Sequence, residues 1–332
     1  MVSVCALHLD HGHIAQICAG LRAAGARIAA VHEPDPAVLA GFRAQFPEAA
    51  VLASAADGLD AGGVDLVACA AVPDQRSAIA IRALASGKHV ILAKPACTSL
   101  AQLDALRAAQ RASGRRVWIW YAERLASAAC TRASALVAAG AIGRVIDIVG
   151  LGPHRLGSGR PAWTFERERT GGILCDLASH QAEQFLHYAG SASACVVAAS
   201  IAARDPQRPG FQDVGSLLLR SADGVTGYHR VDWRTPAGLR TWGDNRLFLA
   251  GTEGTIELRK TIDPGAAAHG EHLIVVDGAG ERHLDCRGEA TPFLAQVVAD
   301  ITDGSDSAMP QAHAFLATEL ALRAQVLAEA GR

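Results

Sequence analysis

The chain has 332 residues, enough for two hydrophobic cores, because a single core usually stops growing near ~250 residues. Its apolar fraction of 50%, charged fraction of 19% and formal net charge of -2 are those of an ordinary globular protein with no electrostatic attraction for nucleic acid or an anionic membrane. Small neutral or mildly charged molecules are the expected partners.

The first third alternates short apolar strands, at 2–9, 27–31, 64–70, 88–93 and 116–121, with alanine-rich helical stretches at 14–24, 36–45, 77–86 and 99–113. Three of those helices run into Gly25, Gly87 and Gly114, where a left-handed cap is needed. Ser99 with Gln102 forms a capping-box pattern. Strands apolar on both faces and interleaved with helices indicate a doubly wound parallel sheet.

After about residue 122 the rhythm changes. One helix is expected at 124–139, then strands at 144–151, 194–202, 214–220, 225–233, 247–250, 255–259 and 272–276, joined by turns such as Ser221-Ala222-Asp223-Gly224. Helices return at 175–189, 292–303 and 311–330, and 265–270 is expected to be a mobile loop. The fold class is therefore α/β: a Rossmann domain over 1–122, followed over 123–332 by an α+β domain with a large open, mainly antiparallel sheet.

The N-terminus carries no basic, apolar and small-residue cleavage pattern, and no apolar run reaches the ~20 residues needed to span a bilayer, so a cytoplasmic location is expected. Eight dispersed cysteines without a C-x-x-C pair suit reduced, buried thiols rather than disulfides or zinc. The H-x-H pair His11 and His13 has no third ligand nearby in sequence, and no metal site is expected.

The first strand-to-helix turn reads Asp10-His11-Gly12-His13-Ile14-Ala15, where a dinucleotide fingerprint would have three glycines. Only the second, Gly12, is kept; it is the one that lets the backbone approach a pyrophosphate, while Asp10 brings a carboxylate close to it. Glu33 follows the second strand, where an acidic residue accepts hydrogen bonds from the adenosine ribose, and it favours NAD over NADP.

Lys94-Pro95 ends the fourth long strand, at the sheet edge where doubly wound proteins bind ligands. Asp176 and His180 are four residues apart, hence neighbours on a helix face, and a carboxylate beside an imidazole makes a general base near neutral pH. Beyond a strand lie His154 and Arg155, then Trp163, which offer bidentate and stacking contacts to a substrate; Tyr121 follows the last Rossmann strand and either supports the crevice or touches substrate.

Together with Val72-Pro73-Asp74, Ala93-Lys94-Pro95, Tyr121-Ala122-Glu123-Arg124, Gly140-Ala141-Ile142-Gly143 and Gly251-Thr252-Glu253-Gly254, this ordered set resembles the Gfo/Idh/MocA oxidoreductases over nearly the whole chain. Two departures stand out: Ala93 replaces the family's usual glutamate before Lys-Pro, and the first fingerprint glycine is absent. The resemblance implies Lys94, Asp176 and His180 as catalytic residues, and a nicotinamide dinucleotide along Asp10, His11, Gly12, His13, Ile14, Glu33, Ala71, Pro73 and Lys94. It implies a sugar, inositol or related polyol as substrate, and a homodimer or homotetramer through the C-terminal sheet. Two alternatives accompany it: an enzyme that cleaves glycosides or eliminates with tightly held NAD, and a non-catalytic dinucleotide or sugar sensor.

Overall fold

The computed structural model describes residues 1–265 and 269–331, so the loop expected at 265–270 falls in part outside the described residues. The chain divides into two compact units, Met1–Trp120 with Pro292–Phe315, and Tyr121–Thr291 with Leu316–Arg332. A linear division at 122/123 does not foresee the return of 292–315 to the first unit, because nothing local marks which core a late amphipathic helix joins.

The first unit holds a parallel sheet of β1 (Ser3–Leu7), β2 (Arg27–His32), β3 (Ala50–Val51), β4 (Leu66–Cys69), β5 (His89–Ala93) and β6 (Val117–Trp120) in the order β3-β2-β1-β4-β5-β6. This is the order of a dinucleotide fold whose direction reverses between β1 and β4. β1, β4 and β6 are buried at every residue, as apolar runs covered on both faces must be. The helices His13–Ala23, Pro73–Ala85 and Leu100–Ser113 lie within a few residues of their expected spans. Gly25, Gly87 and Gly114 take φ of 90°, 74° and 64°, the left-handed caps foreseen from sequence.

The capping box expected at Ser99 is half formed. Ser99 Oγ accepts from Gln102 N, but Gln102 Oε1 accepts from Thr98 N instead of the Ser99 amide. The complete box stands at Ser54 and Asp57, opening the helix Ala55–Asp60, which was not foreseen.

The second unit holds an eight-stranded sheet of β7 (Val145–Pro153), β8 (Ala194–Ala202), β9 (Val214–Ser221), β10 (Thr226–Asp232), β11 (Arg246–Gly251), β12 (Gly254–Arg259), β13 (His272–Asp277) and β14 (Gly280–Asp285). Their order is β14-β13-β12-β11-β7-β10-β9-β8, antiparallel except for the β7–β10 pair. The helix Ala178–Ala189 packs on β7, β9 and β10. Gly150 and Gly152 of β7 make that approach possible, because a Cβ at either would stand within 2.7 Å of the Gln181 side chain. β14 was not foreseen, since its residues are almost all exposed and show no apolar alternation.

Candidate active site

At the nucleotide turn, Gly12 caps the helix His13–Ala23 with φ of −58°, so what matters there is its missing side chain and not a left-handed backbone. A Cβ added at Gly12 would meet nothing within 4 Å, leaving open space beside the turn. Gly12 offers no capping side chain and the first helical turn holds no acidic residue, so the positive end of the helix dipole is not neutralised within the helix. These features fit a dinucleotide diphosphate. His11 folds over the turn, its Nδ1 accepting from His13 N at 3.2 Å and its ring 4.2 Å from that of His13.

Glu33, at the end of β2, is buried with 9% exposure. Its Oε2 accepts from Leu9 N at 2.6 Å and its Oε1 from Asp35 N at 2.9 Å, tying the first turn to the second strand. A carboxylate has about four lone-pair positions, so these bonds leave acceptor capacity toward a ribose. Burial, then the nearby charge of Glu33, raises the pKa of Asp10. Asp10 does not have positive φ, so the residue replacing the first fingerprint glycine sits there without backbone strain.

Lys94 follows β5 and is 4% exposed. The residue that fixes it is Arg76, fully buried on the helix that Pro73 opens. Arg76 Nε donates to Ala71 O at 2.6 Å, and Nη1 donates to the carbonyls of Ala93, Lys94 and Pro95 at 3.1, 2.5 and 3.0 Å. One guanidinium thereby gathers the ends of two neighbouring strands, including the backbone of Ala71 and Lys94. Sequence reasoning missed Arg76. The signal was present: it shares the buried face of its helix with Ala80, Ala83 and Leu84, a position an unpaired charge would not take.

In the second unit the helix expected at 175–189 is two helices, Ile173–Asp176 and Ala178–Ala189. Leu177 between them keeps right-handed helical dihedrals, φ −82° and ψ −40°, so Asp176 and His180 retain the spacing of one turn. His180 is 2% exposed and meets the edge of the Tyr121 ring at 6.3 Å. Tyr121 is itself 1% exposed, with its hydroxyl 2.9 Å from Thr318 Oγ1. It supports the imidazole from inside the unit. Asp176 lines a cleft of the same unit together with Arg167, Gln212 and Trp233. Burial lowers the pKa of Arg160, and the charge of Asp176 opposes that shift.

A buried polar network anchors the helix that carries His180. Glu123 Oε2 accepts from Gln181 Nε2 at 2.8 Å, Gln184 Nε2 at 3.3 Å and Lys260 Nζ at 3.3 Å, while Lys260 also donates to Gln184 Oε1 at 2.7 Å. Arg124 grips the buried Glu183 carboxylate with both arms of its guanidinium. These residues too were not singled out from sequence; two glutamines among the buried positions of one helix were the available sign.

His154 sits between Trp233 and Trp242, at 5.5 and 4.6 Å between ring centroids, with Nε2 3.7 Å from Glu123 Oε1. Arg155 donates to the carbonyls of Pro236 and Leu239, so its guanidinium braces the 236–242 turn. Trp163 lies on the short helical turn Ala162–Phe165, half-buried. His229 on β10 points inward to Gln181, and its neighbour Tyr228 points to the opposite face. All eight cysteines are free, seven of them buried.

Residues 11–121 match the oxidoreductase family model with an NAD-binding Rossmann fold, and residues 130–257 match the GFO/IDH/MocA C-terminal domain. A crystal structure from Erwinia carotovora atroseptica SCRI1043, provisionally described as an oxidoreductase, is 39% identical over 99% of both chains with a TM-score of 0.96. The chain belongs to the Gfo/Idh/MocA oxidoreductase family. Two more distant structures share the family fold. Levoglucosan dehydrogenase in complex with NADH and levoglucosan is 17% identical, covering 99% of this chain and 97% of that one, with a TM-score of 0.82. Aldose-aldose oxidoreductase from Caulobacter crescentus is 20% identical, covering 100% and 98%, with a TM-score of 0.80. No curated protein matches in sequence. Among the described residues no helix is long and apolar enough to cross a membrane. In this family member the Rossmann unit is an NAD-binding domain, and the second unit carries Asp176, His180 and the cleft.

Proposed function

We propose that this protein is an NAD-dependent dehydrogenase acting on a hydroxyl-bearing carbon of a sugar, inositol or related polyol. The observation that carries this reading is the one-turn spacing of Asp176 and His180, with Asp176 lining a cleft together with hydrogen-bonding groups and the indole of Trp233. Such a lining suits a polyhydroxylated ring, whose hydroxyls need partners and whose C–H face stacks on an aromatic side chain. Neighbours of the same fold named for levoglucosan, myo-inositol and aldoses are in keeping with that class.

The nicotinamide, when bound, supplies a two-electron acceptor or donor of hydride. His180 takes the substrate's hydroxyl proton as the carbon gives up its hydride and the C–O bond becomes a carbonyl. Lys94 hydrogen-bonds the reacting oxygen and stabilises its developing negative charge, and Asp176 orients His180 or a second hydroxyl. Glu33 supports NAD over NADP, because a phosphate on the ribose would meet its carboxylate. Tyr121, by its burial, serves as support for His180, while His154 and Trp163 remain the proposed substrate contacts. Arg155 is proposed to shape the site through the turn it braces. A second copy of the chain is proposed to cover the outer face of the eight-stranded sheet.

Thermal-shift titration with NAD and NADP, followed by absorbance assays over a sugar and inositol panel, tests this reading. NAD should stabilise the chain more than NADP and be reduced with a polyol substrate, and His180→Ala should lower turnover by ~100-fold or more. If neither cofactor stabilises the protein at millimolar concentration, the reading fails.

A further inference from the structure

We propose that His269, His272 and Asp285, at the β13 end of the large sheet, form a binding site for a divalent cation of the zinc class. One donor atom from each of the three lies within 4.8 Å of the others. The β13–β14 register brings two of them together, since His272 stands directly opposite Asp285 in the antiparallel pair. His269 arrives from the segment just before β13, its ring 4.4 Å from that of His272, and His283 covers His272 from another side at 4.7 Å.

Two independent observations point to a ligand. His272 is only 2% exposed, and neither of its ring nitrogens makes a hydrogen bond of normal geometry, although the backbone of His269 approaches the ring. An imidazole buried in this way loses the hydration of both nitrogens and regains little in exchange. A metal ion restores one of those bonds. The second observation is the tautomer of His269. Its Nδ1 lies 2.9 Å from the Gly270 carbonyl, which can only accept, so Nδ1 carries the proton and Nε2 keeps its lone pair free for a cation. An outer hydrogen bond of this kind is how metal-ligating histidines are normally held.

Two imidazoles and one carboxylate select a borderline cation such as zinc over calcium or magnesium, and leave a fourth position open. Ligand atoms around tetrahedral zinc stand about 3.3 Å apart, from Zn–N and Zn–O lengths of about 2.0–2.2 Å. Binding therefore requires the exposed Asp285 and the half-buried His269 to rotate toward the buried His272. The competing cation on Asp285 is Arg287, whose Nε and Nη2 and backbone amide all donate to that carboxylate. Arg259, opposite His272 on β12, is engaged by Glu257 at 2.7 Å and approaches Asp263 at 3.9 Å.

The test uses the full chain, without an affinity tag and stripped by chelator, titrated with Zn²⁺ by calorimetry and with Co²⁺ by visible absorption. One ion should bind per chain with micromolar or tighter affinity, and Co²⁺ should show the intense bands of a four-coordinate nitrogen and oxygen site. H269A and H272A should each weaken binding by ~100-fold or more, with circular dichroism confirming that both variants fold. R287Q should tighten it, because Asp285 is then released. Absence of saturable binding up to millimolar Zn²⁺ overturns the proposal. So does binding that survives both histidine substitutions, which would place the ion elsewhere, for example on His11 and His13. Unchanged affinity in R287Q removes Asp285 from the ligand set and overturns the three-residue site.

Discussion

At the scale of single residues, Arg76 carries more of the first unit's local geometry than the lysine it positions. Its guanidinium is fully buried and satisfies carbonyls of Ala71, Ala93, Lys94 and Pro95. Replacing Arg76 with alanine leaves several buried acceptors without donors, and at about 1–3 kcal/mol for each such group the expected loss of stability is about 3 kcal/mol or more. Urea unfolding measures it. Because the strand ends at Ala71 and Lys94 lose their common anchor, NAD affinity should fall in Arg76→Ala beyond the stability effect, and Arg76→Lys should restore part of it. Full NAD affinity in a folded Arg76→Ala protein would show that the guanidinium serves the core alone. The residue-level reading of Lys94 and the Asp176 and His180 pair was available from spacing and strand ends. For Arg76 only its place on the apolar face of its helix was available; its role was not, because its partners are carbonyl groups, and backbone oxygens leave no mark in a sequence.

Among the elements, the helix Ala178–Ala189 shows how a buried polar side is built. Its Gln181 and Gln184 reach Glu123, Lys260 and His229 from three other segments. His229 is fully buried; burial, with Lys260 adding to it, pushes its pKa down to about 3. In the unfolded chain the same imidazole titrates near its ordinary value of about 6.5. Since the folded pKa lies below the unfolded one, the unfolded chain takes up the proton first as pH falls. The stability that neutral His229 contributes is therefore complete above about pH 6.5 and is lost progressively toward pH 3. Chemical unfolding at pH 7, 6, 5 and 4 should show a declining midpoint, with a shallower decline in His229→Gln. Equal slopes in the two proteins would assign the acid sensitivity to other groups, of which His89, held down to about 4 by burial and by Arg115 and Arg116, is the next candidate.

For the whole molecule, the outer face of the eight-stranded sheet is where the proposed second copy would dock. β13, β11 and β10 place Val276, Phe248 and Tyr228 on that face, at 40%, 41% and 44% exposure, with half-buried Val149 and Leu218 between and beside them. Monomers rarely leave such a row of large apolar side chains in water. Light scattering at micromolar concentration should give a dimer or larger assembly, and Phe248→Arg should shift it toward the monomer. A monomeric wild-type chain at that concentration would refute the proposed interface.

What the sequence determined by itself is what local chemistry can encode. Buried parallel strands are apolar on both faces, helices stop at glycines free to take positive φ, and Asp176 and His180 share a face because four residues make about one helical turn. The ordered motifs identified the family for the same reason, each being a short segment with its own backbone requirement. The tertiary structure alone decided which segments meet. It returned 292–315 to the first unit, placed β14 beside β13 without an apolar pattern to announce it, and set His272 opposite Asp285. Those outcomes depend on pairing register and on which surface a helix covers. Both are fixed by the summed packing of residues far apart in the chain, so no single window of sequence contains them.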